Sequence, residues 1–573
     1  MLKTFSVHQN SKSFSLSSPT VPMLYPPHLL RPFSLHFGAN VTKYRALFAQ
    51  LRLPRLCSAM AGGGDDMAEM PDLMDYLERL KNYERIGVPR GAGTESDDGF
   101  DLGRMQRLLG RLGDPHTHFK SIHIAGTKGK GSVAAFISNI LRNEGYKVGT
   151  YTSPHILTIR ERISIGREGE PVSANLLNNL FLQVKSKIDE SVASENGSLS
   201  HFEVFTALAF LVFSHETVDV AVVEAGLGGA RDATNVIRSS ELALSIITSI
   251  GKEHLEALGG SLQSIAMAKS GIIKEGRPVV IGGPLEPDIE RIIRERAQLL
   301  DSPVLSTCHP GVSCSLKQYQ VDYERPVQIC DVGIEMHNNM EIDLQGLKLQ
   351  MLGTHQLRNV VMATCAALCL HNQGLIVSKE SIRAGLEQTC LQGRMQFLTK
   401  REASSVGADN ISLLIDGAHT EASAKGLSEV IEAVHQDHPL ALVVAMASDK
   451  DHFSFAKQLL SGRKPDVVLL TEVNIAGGKS RSISALDLKD IWNKAAQDVG
   501  IDIFDLGVIS PELEEIPNTS RPVFTVCSNT PIRNIIAVAS KLIQTRGKRD
   551  ESGLVCVTGS LHLVSSLLSI LHL

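Results

Sequence analysis

The sequence predicts an α/β protein: a doubly wound parallel sheet domain followed by a smaller, Rossmann-like α/β domain. Two observations predict this class. Short apolar runs alternate with segments of helical spacing, the order expected for a parallel sheet covered on both faces. That order occurs twice along 573 residues, a length that exceeds what one hydrophobic core usually organises. We therefore expect domains at residues 67–388 and 398–573, joined by a linker at 389–397.

The predicted elements follow each other in a regular order. Helical spacing marks residues 72–80 and 101–112, which a polar connection at 91–99 separates. A first series of buried strands is expected at 122–125, 148–152, 218–223, 244–248 and 279–281, with helices such as 133–143 and 202–213 between them. A second series is expected at 413–415, 442–446, 467–470 and 554–557. Each series predicts one sheet.

Residues 1–60 differ in composition from the rest of the chain. They contain no Asp or Glu, whereas Lys and Arg stand among many serines and prolines. This composition is typical of an organellar transit peptide, and a merely disordered basic tail is the alternative. We expect a cleaved transit peptide or disordered segment at residues 1–66 and a mitochondrial matrix location, with the plastid as second choice.

The overall composition excludes several classes of partner. A net charge of −5 gives no electrostatic basis for binding nucleic acid. No apolar run in the sequence reaches the length that crosses a bilayer, so we expect no membrane partner. With 43% apolar and 21% charged residues, the composition is that of an ordinary globular protein. We expect a monomer that binds small molecules.

A glycine-rich loop joins the first predicted strand to its helix. Residues 125–132 read AGTKGKGS, which places three glycines, two lysines and a hydroxyl where the strand passes into the helix. Backbone N–H groups around glycines, a helix N-terminus and a lysine together bind phosphate oxygens, and a serine hydroxyl can ligate magnesium. The spacing differs from the standard P-loop, because only two residues separate Gly126 from Gly129. A solvated turn is the alternative interpretation.

Ionisable side chains follow the predicted strands at the edge where parallel sheets bind ligands. Glu224 ends a strand beside the glycine-rich loop, which predicts magnesium ligation. His254 and Ser153 follow other strands and are further candidates, whereas the residues around Lys269 favour a surface lysine. The segment DGAH at 416–419 ends a strand of the second series. Two such edges predict a ligase that closes on two substrates.

Together these motifs resemble the folylpolyglutamate synthase and dihydrofolate synthase family, which is related to the Mur ligases. The loop AGTKGKGS is similar to the family's own phosphate loop, which accounts for its spacing. The resemblance extends from about residue 72 to residue 564 through TSPH (152–155), HFEVFTALAF (201–210), EAGLGGARDATN (224–235), LGTHQLRN (352–359), QGRMQ (392–396), DGAH (416–419), SDKD (448–451) and GSLHLV (559–564).

The resemblance implies an active ATP-dependent amide ligase. ATP phosphorylates the carboxylate of a pterin-bearing substrate, and the amine of L-glutamate then attacks the acyl phosphate. The implied cofactors are ATP and Mg²⁺, and the implied catalytic residues are Lys130, His254 and Lys269. The family carbamylates the lysine that Lys269 matches, which replaces the interpretation of Lys269 as a surface lysine.

Site residues are carried over from the family position by position. Expected ATP contacts are Thr127, Lys128, Gly129, Lys130, Gly131, Ser132, Asn359, Arg394 and Asp416. Expected metal ligands are Ser153, Glu224, His254 and Lys269. Expected substrate contacts are Phe100, Asp101, Leu102, Ser200, His201, Phe202, Glu203, Arg231, Asp232, Ala233 and His419.

Several residues depart from the family pattern without removing an expected ligand. Ala230 takes the place of the usual arginine and Arg231 follows it, while Glu253, Ala268 and Thr420 replace Asp, Glu and Asn. The GGARDATN form and the basic leader look closest to the plant dihydrofolate synthase branch, which favours dihydropteroate as the acceptor. The alternatives are a folylpolyglutamate synthase or bifunctional enzyme acting on tetrahydrofolate, a noncatalytic nucleotide-binding scaffold, and a small-molecule kinase.

Overall fold

The computed structural model describes residues 66–94, 100–322, 325–336, 340–435, 438–473, 481–509, 519–546 and 553–571. The expected transit peptide lies outside these residues, except for its last position, and so do residues 95–99 of the expected connection. The described residues form a mixed α/β fold with two large, mainly parallel sheets. This confirms the predicted class.

The first large sheet has eight strands: β1 Lys120–Ala125, β2 Val148–Tyr151, β3 Ile163–Ile165, β4 Glu170–Pro171, β5 Val220–Glu224, β6 Leu242–Ile247, β7 Val279–Ile281 and β8 Val304–Ser306. Their order is β4-β3-β2-β5-β1-β6-β7-β8, and only the pairs involving β3 are antiparallel among them. Because β1 lies between β5 and β6, the carboxyl ends of these three strands meet at the crevice where such sheets bind ligands.

Helices cover both faces of this sheet. One face is packed by α5 Lys130–Glu144, α10 Thr354–Asn372 and α11 Lys379–Gln388, and the other by α2 Pro71–Glu78, α4 Leu102–Arg111, α6 Ala174–Ser194 and α7 His201–His215. The remaining helices of this part are α1 Asp66–Glu69, α3 Tyr83–Ile86, α8 Leu262–Ser270 and α9 Pro287–Leu299. α5 is bounded by Gly129 and Gly145, which both have positive φ. Glycine adopts this backbone without strain, so the sequence sets both ends of the helix.

A three-stranded antiparallel sheet adds to the first core and was missing from the sequence prediction. Its strands are β9 Val312–Asp322, β10 Arg325–Met336 and β11 Met340–Leu349, in the order β11-β10-β9. Buried residues of β10 and β11 join the same apolar cluster as α10. Because buried and half-buried residues alternate along most of β10, this segment lacks the continuous apolar runs that mark the parallel strands.

The second large sheet has seven strands: β12 Gln396–Phe397, β13 Ser412–Ile415, β14 Leu440–Val444, β15 Val467–Leu470, β16 Phe504–Val508, β17 Val523–Val526 and β18 Leu554–Thr558. Their order is β12-β13-β18-β14-β15-β17-β16. One face carries α13 Glu421–Val434, α14 His452–Ser461 and α15 Ala485–Asp498, and the other carries α12 Lys400–Ser405, α16 Ile532–Gln544 and α17 Leu561–Leu571. Since β12 pairs with β13, part of the expected linker lies in this sheet; the domain boundaries stay a prediction.

Within the described ranges, no helix combines the length and apolar content needed to cross a bilayer.

Candidate active site

The glycine-rich loop at 126–132 lies at the central crevice, between β1 and α5. Gly126 and Gly129 have φ values of 153° and 88°. A Cβ on Gly126 would overlap the Thr248 hydroxyl, and a Cβ on Gly129 would lie 2.5 Å from Asn359 Oδ1. Both positions therefore require glycine, for backbone shape and for close approach. The first N–H groups of α5 lack intrahelical acceptors and point into this crevice, as in phosphate-binding loops.

The segment after β6 holds the first half of this loop. Thr127 N–H donates to Ser249 O at 2.8 Å, and Lys128 N–H donates to Ser249 Oγ at 2.9 Å. The Thr248 hydroxyl donates to Lys128 O at 2.6 Å, and Thr127 Oγ1 accepts from Gly251 N–H at 2.9 Å. These contacts use the backbone amides of Thr127 and Lys128 within the protein. The protein itself thus holds the first half of the loop, at Thr127 and Lys128.

Two lysines and one carboxylate converge on the loop. The Nζ atoms of Lys130 and Lys269 both donate to Gly126 O, at 3.1 and 2.8 Å, and Lys130 Nζ lies 3.7 Å from Glu224 Oε1. Lys269 is only 5% exposed, so its interpretation as a surface lysine was wrong. Burial and the neighbouring Lys130 cation lower the pKa of Lys269 to about 7. Two lysines and one carboxylate thus lie together, largely buried, at the carboxyl ends of β1 and β5.

Glu224 is the last residue of β5, as predicted, and its carboxylate is buried. Burial raises its pKa, while Lys130 and the Ser153 N–H, 3.3 Å from Oε2, oppose this. His254 does not stand at the end of β6; it lies in the segment that follows the strand, and its φ is 53°. Burial lowers its pKa, and Lys269 and Lys130 act in the same direction. Ser153, Glu224, His254 and Lys269 thus lie near the same end of the glycine-rich loop.

This group of residues fits a magnesium ion that is held partly by phosphate oxygens and waters better than one enclosed by protein ligands. In the described part of the chain, no three His, Cys, Asp or Glu side chains are grouped as a metal cage. Mg²⁺ commonly takes one or two carboxylates and completes its shell with phosphate oxygens and waters. One buried carboxylate, Glu224, beside a loop suited to phosphate matches that arrangement.

α10 closes the loop from the opposite side. Asn359 Nδ2 donates to Gln356 Oε1 at 2.8 Å, and Gln356 Nε2 donates to Ser132 Oγ at 3.4 Å. Both amide side chains are buried. Asn359 therefore lies against Gly129, and Gln356 connects it to Ser132. Gln356 was not among the predicted site residues.

The second sheet contributes Arg394, Asp416 and His419 to the same crevice. Asp416 accepts hydrogen bonds from Met395 N–H and Ala418 N–H at 2.8 and 2.9 Å. Arg394 acts to lower the pKa of Asp416 and of Glu224, although burial raises both on balance. His419 donates from Nδ1 to Gly417 O at 2.8 Å, and burial lowers its pKa, with Lys128 and Arg394 nearby. The two large sheets thus face each other across one site.

Three of the expected substrate contacts also cap α-helices. Asp101 accepts from Gly103 N–H and Arg104 N–H at the start of α4, and Ser200 and Glu203 form the capping box of α7. Arg104 Nε lies 3.2 Å from Glu203 Oε1. Leu102 opens α4 beside them. The structure brings these residues together, and it gives their polar atoms structural partners.

The ring-bearing residues of this group, Phe100, His201 and Phe202, form an aromatic wall beside the crevice. Phe100 stacks edge-on against Tyr83 at a centroid distance of 5.5 Å, and His201 stacks on Phe205 at 6.2 Å. Phe202 lies against Gly226, where a Cβ would be 2.5 Å from the ring.

The loop at 226–234 completes this wall. Arg231 donates from Nη1 to Thr94 O, and Asp232 accepts from Leu227 N–H at 2.7 Å. Ala233 is buried in the turn that follows. The aromatic wall and this loop border the crevice at the carboxyl end of β5.

Sequence reasoning missed a buried arginine next to the expected serine ligand. Arg162 is only 1% exposed. Its Nη atoms contact the Glu84 carboxylate at 2.9 and 2.6 Å, and its Nε donates to His155 Nδ1 at 2.9 Å. Arg162 follows the TSPH motif at 152–155, but nothing in its local sequence pattern distinguishes it from the exposed arginines.

Comparison with known proteins assigns a class to this arrangement. The family model of the Mur ligase middle domain matches residues 124–367, which include the end of β1, the glycine-rich loop and α8. The family model of the dihydrofolate synthetase C-terminal domain matches residues 399–570. The fold and the loop therefore define a Mur-type, ATP-dependent ligase.

Individual relatives narrow this class. Dihydrofolate synthase/folylpolyglutamate synthase of Bacillus subtilis is 33% identical over 371 residues, which cover 62% of this chain and 78% of the relative. Dihydrofolate synthetase of Saccharomyces cerevisiae is 29% identical, over 75% of this chain and 95% of the relative. Mycobacterium tuberculosis folylpolyglutamate synthase, solved with ADP and AMPPCP, has a TM-score of 0.66 and 26% identity, over 88% of this chain and 98% of that chain. The chain belongs to the dihydrofolate synthase and folylpolyglutamate synthase family.

Proposed function

We propose that the protein is a dihydrofolate synthase: it joins L-glutamate to 7,8-dihydropteroate and converts ATP to ADP and phosphate. The γ-phosphoryl group moves to the pteroate carboxylate, the glutamate amine attacks the acyl phosphate, and phosphate leaves as the amide forms. The observation that carries this proposal is the convergence of Lys130, Lys269 and Glu224 on a phosphate-type loop that faces Arg394 and Asp416.

The loop and its partners supply the nucleotide site in this proposal. N–H groups of the first turn of α5 bind phosphate oxygens, while the Lys130 ammonium offsets the charge that develops during transfer. Thr127 and Lys128 fix the loop, and Gly129, Gly131 and Ser132 line it. Asn359, Arg394 and Asp416 bind the rest of the nucleotide. ADP and AMPPCP in the mycobacterial relative support this assignment.

We propose that the pocket formed by Ser153, Glu224, His254 and Lys269 holds Mg²⁺, which would stabilise negative charge on the transferring phosphoryl group. Lys269 would join it as a carbamate: the neutral amine adds to CO₂ and releases one proton. Burial favours this reaction because it disfavours the ammonium form. Carbamylation would also replace the Lys269 cation, which shares Gly126 O with Lys130, by an anion that attracts the Lys130 ammonium.

Dihydropteroate is the proposed acceptor, with the wall formed by residues 100–102, 200–203 and 231–233 binding its pterin ring and His419 contacting the substrate. Two comparisons support this choice. Residues 399–570 match a dihydrofolate synthetase domain, and the chain matches 95% of the length of the yeast dihydrofolate synthetase. Folylpolyglutamate synthase activity is the second candidate, because relatives of that name also match. We further propose import into the mitochondrial matrix, supported by the acid-free, basic residues 1–60.

A comparison of the two acceptors, each offered separately, decides between these activities. The purified protein is given ATP, Mg²⁺ and labelled glutamate with either 7,8-dihydropteroate or tetrahydrofolate, and kcat/KM is compared. We expect a clear preference for dihydropteroate. Preference for tetrahydrofolate with products carrying several glutamates would identify a folylpolyglutamate synthase, and comparable use would identify a bifunctional enzyme. ADP release without amide product would indicate a kinase, and no glutamate-dependent ADP release would indicate a scaffold.

A further inference from the structure

His123 is a buried, ionisable residue in the middle of β1 for which the proposed reaction has no use. Its side chain is 0% exposed. Complete burial, with a smaller effect of Lys274, lowers its pKa to about 3, so the imidazole is neutral. Its Nε2 atom lies 2.8 Å from Thr234 Oγ1. A neutral histidine between two isoleucines of β1 therefore contacts the far end of the loop at 226–234.

The direction of this hydrogen bond follows from the neighbouring one. The Thr234 hydroxyl donates its single proton to Asp232 Oδ1 at 2.6 Å. Its oxygen must therefore accept from His123, whose Nε2 carries the proton of the neutral ring. The other ring nitrogen, Nδ1, has no hydrogen-bond partner among the described residues, which suits the unprotonated atom of the neutral ring. The hydrogen bonds run from His123 through Thr234 to Asp232.

Asp232 collects donors from both ends of the loop. Its Oδ2 accepts from Leu227 N–H at 2.7 Å, and its Oδ1 accepts from Thr234 N–H at 3.0 Å as well as from the hydroxyl. The carboxylate is 2% exposed. A buried carboxylate is costly to leave without donors, so it fixes the backbone that supplies them. Asp232 thus closes the loop, and the Thr234 hydroxyl connects it to the sheet through His123.

The same loop packs directly on the helix that carries Lys269. Ala230 N–H donates to Ala268 O at 2.7 Å. A Cβ on Gly229 would lie 2.9 Å from Ala268 O and 3.0 Å from Lys269 O. Backbone at this distance cannot shift without moving α8. The position of the loop is therefore coupled to the position of Lys269.

We propose that His123 is a positioning residue for the loop at 226–234. Through Thr234 and Asp232 it holds this loop against α8, and so aligns Lys269 with the residues at 231–233 that contact the acceptor. The link to acceptor binding rests on the proposed function. The ordering of the loop by the chain of hydrogen bonds does not depend on the proposed function, because it follows from the contacts alone.

Four variants separate this role from general stability. His123→Leu removes the donor, and His123→Gln keeps an amide N–H near the position of Nε2. Thr234→Val removes the hydroxyl and keeps the shape of the side chain. Ser245→Ala is the matched control: Ser245 pairs with His123 in register on β6, is equally buried, and donates to Ile272 O at 3.1 Å, outside the chain of hydrogen bonds.

Amide hydrogen exchange of the full chain, read by mass spectrometry, tests the ordering directly and needs no substrate. We expect exchange at 226–234 to rise about tenfold or more in His123→Leu and Thr234→Val, and to stay within about threefold of wild type in His123→Gln and Ser245→Ala. Unchanged exchange in the first two variants would overturn the proposal, and so would an equal rise in Ser245→Ala. If His123→Leu fails to fold, Thr234→Val provides the same decision.

Steady-state kinetics test the link to the acceptor, using whichever pteroate or folate the wild type prefers. We expect kcat/KM for the acceptor to fall about 10- to 100-fold in His123→Leu and Thr234→Val, with KM for ATP within about threefold. The double variant should be no worse than the poorer single variant, because both interrupt one chain. Additive losses, or equal losses in His123→Gln and His123→Leu, would contradict the proposal. A wild type without ligase activity would refute the proposed function instead, while the exchange data would still decide the role of His123.

Discussion

Gly129→Ala is the substitution whose effect on nucleotide binding follows most directly from the structure. Gly129 has a φ of 88°, and a Cβ there would lie 2.5 Å from Asn359 Oδ1. Left-handed backbone costs a non-glycine residue about 1–2 kcal/mol. Moving the Asn359 amide away would break its hydrogen bond to Gln356, which contributes about 1 kcal/mol. The total is about 2–3 kcal/mol.

This penalty should appear in nucleotide affinity. Without ligand, the variant can relax the backbone around residue 129 away from the strained shape, and binding of ADP must then restore that shape. A cost of about 2–3 kcal/mol corresponds to a roughly 30- to 150-fold higher Kd for ADP. Isothermal titration of the purified variant with ADP and Mg²⁺ measures this directly.

Gly110→Ala is the matched control for this experiment. Gly110 lies within α4, is exposed, and has no atom within 4 Å of the position that a Cβ would occupy. Alanine is favoured over glycine in a helix by about 1 kcal/mol, so this variant should be at least as stable as the wild type and bind ADP equally well. A Kd within about threefold of wild type for Gly129→Ala would refute the assignment of this loop to the phosphates.

Three further outcomes are expected. Lys269→Ala should lower turnover by orders of magnitude and recover in part when a short carboxylate such as acetate is supplied; an unmodified Lys269 in the intact mass of the active, CO₂-equilibrated enzyme would contradict carbamylation. Glu224→Gln should raise the Mg²⁺ concentration needed for half-maximal activity at least about tenfold, because the amide keeps the shape but loses the charge that Mg²⁺ prefers, whereas Glu216→Gln, at a partly exposed ion pair with Lys147, should not. A reporter fused to residues 1–66 should enter mitochondria and be cleaved, and a cytosolic reporter would end that proposal.

The parallel strands could be predicted because burial on both faces gives a strand a simple mark in the sequence, a continuous apolar run. Val220–Glu224 and Val467–Leu470 are buried at every position, so they stand out as continuous apolar runs. β9, β10 and β11 lack that mark, since one face of their sheet is exposed and the apolar residues alternate. The convergence of the glycine-rich loop and Glu224 followed from topology, because strand ends of a parallel sheet share one edge. Burial of Lys269 and Arg162 depends on packing between distant segments, which local sequence does not contain.

The residues expected to contact the pterin show a different limit of sequence patterns. Ser200 and Glu203 satisfy the capping box of α7, and Asp101 caps α4, so helix formation alone accounts for their identity. Their carboxylates are also held by Arg104 and Arg107. A motif match cannot separate the two roles, because a residue that begins a helix at a binding crevice serves both. Acceptor specificity should therefore respond more to the aromatic surfaces of Phe100 and Phe202, whose packing no helix cap requires, than to these polar side chains.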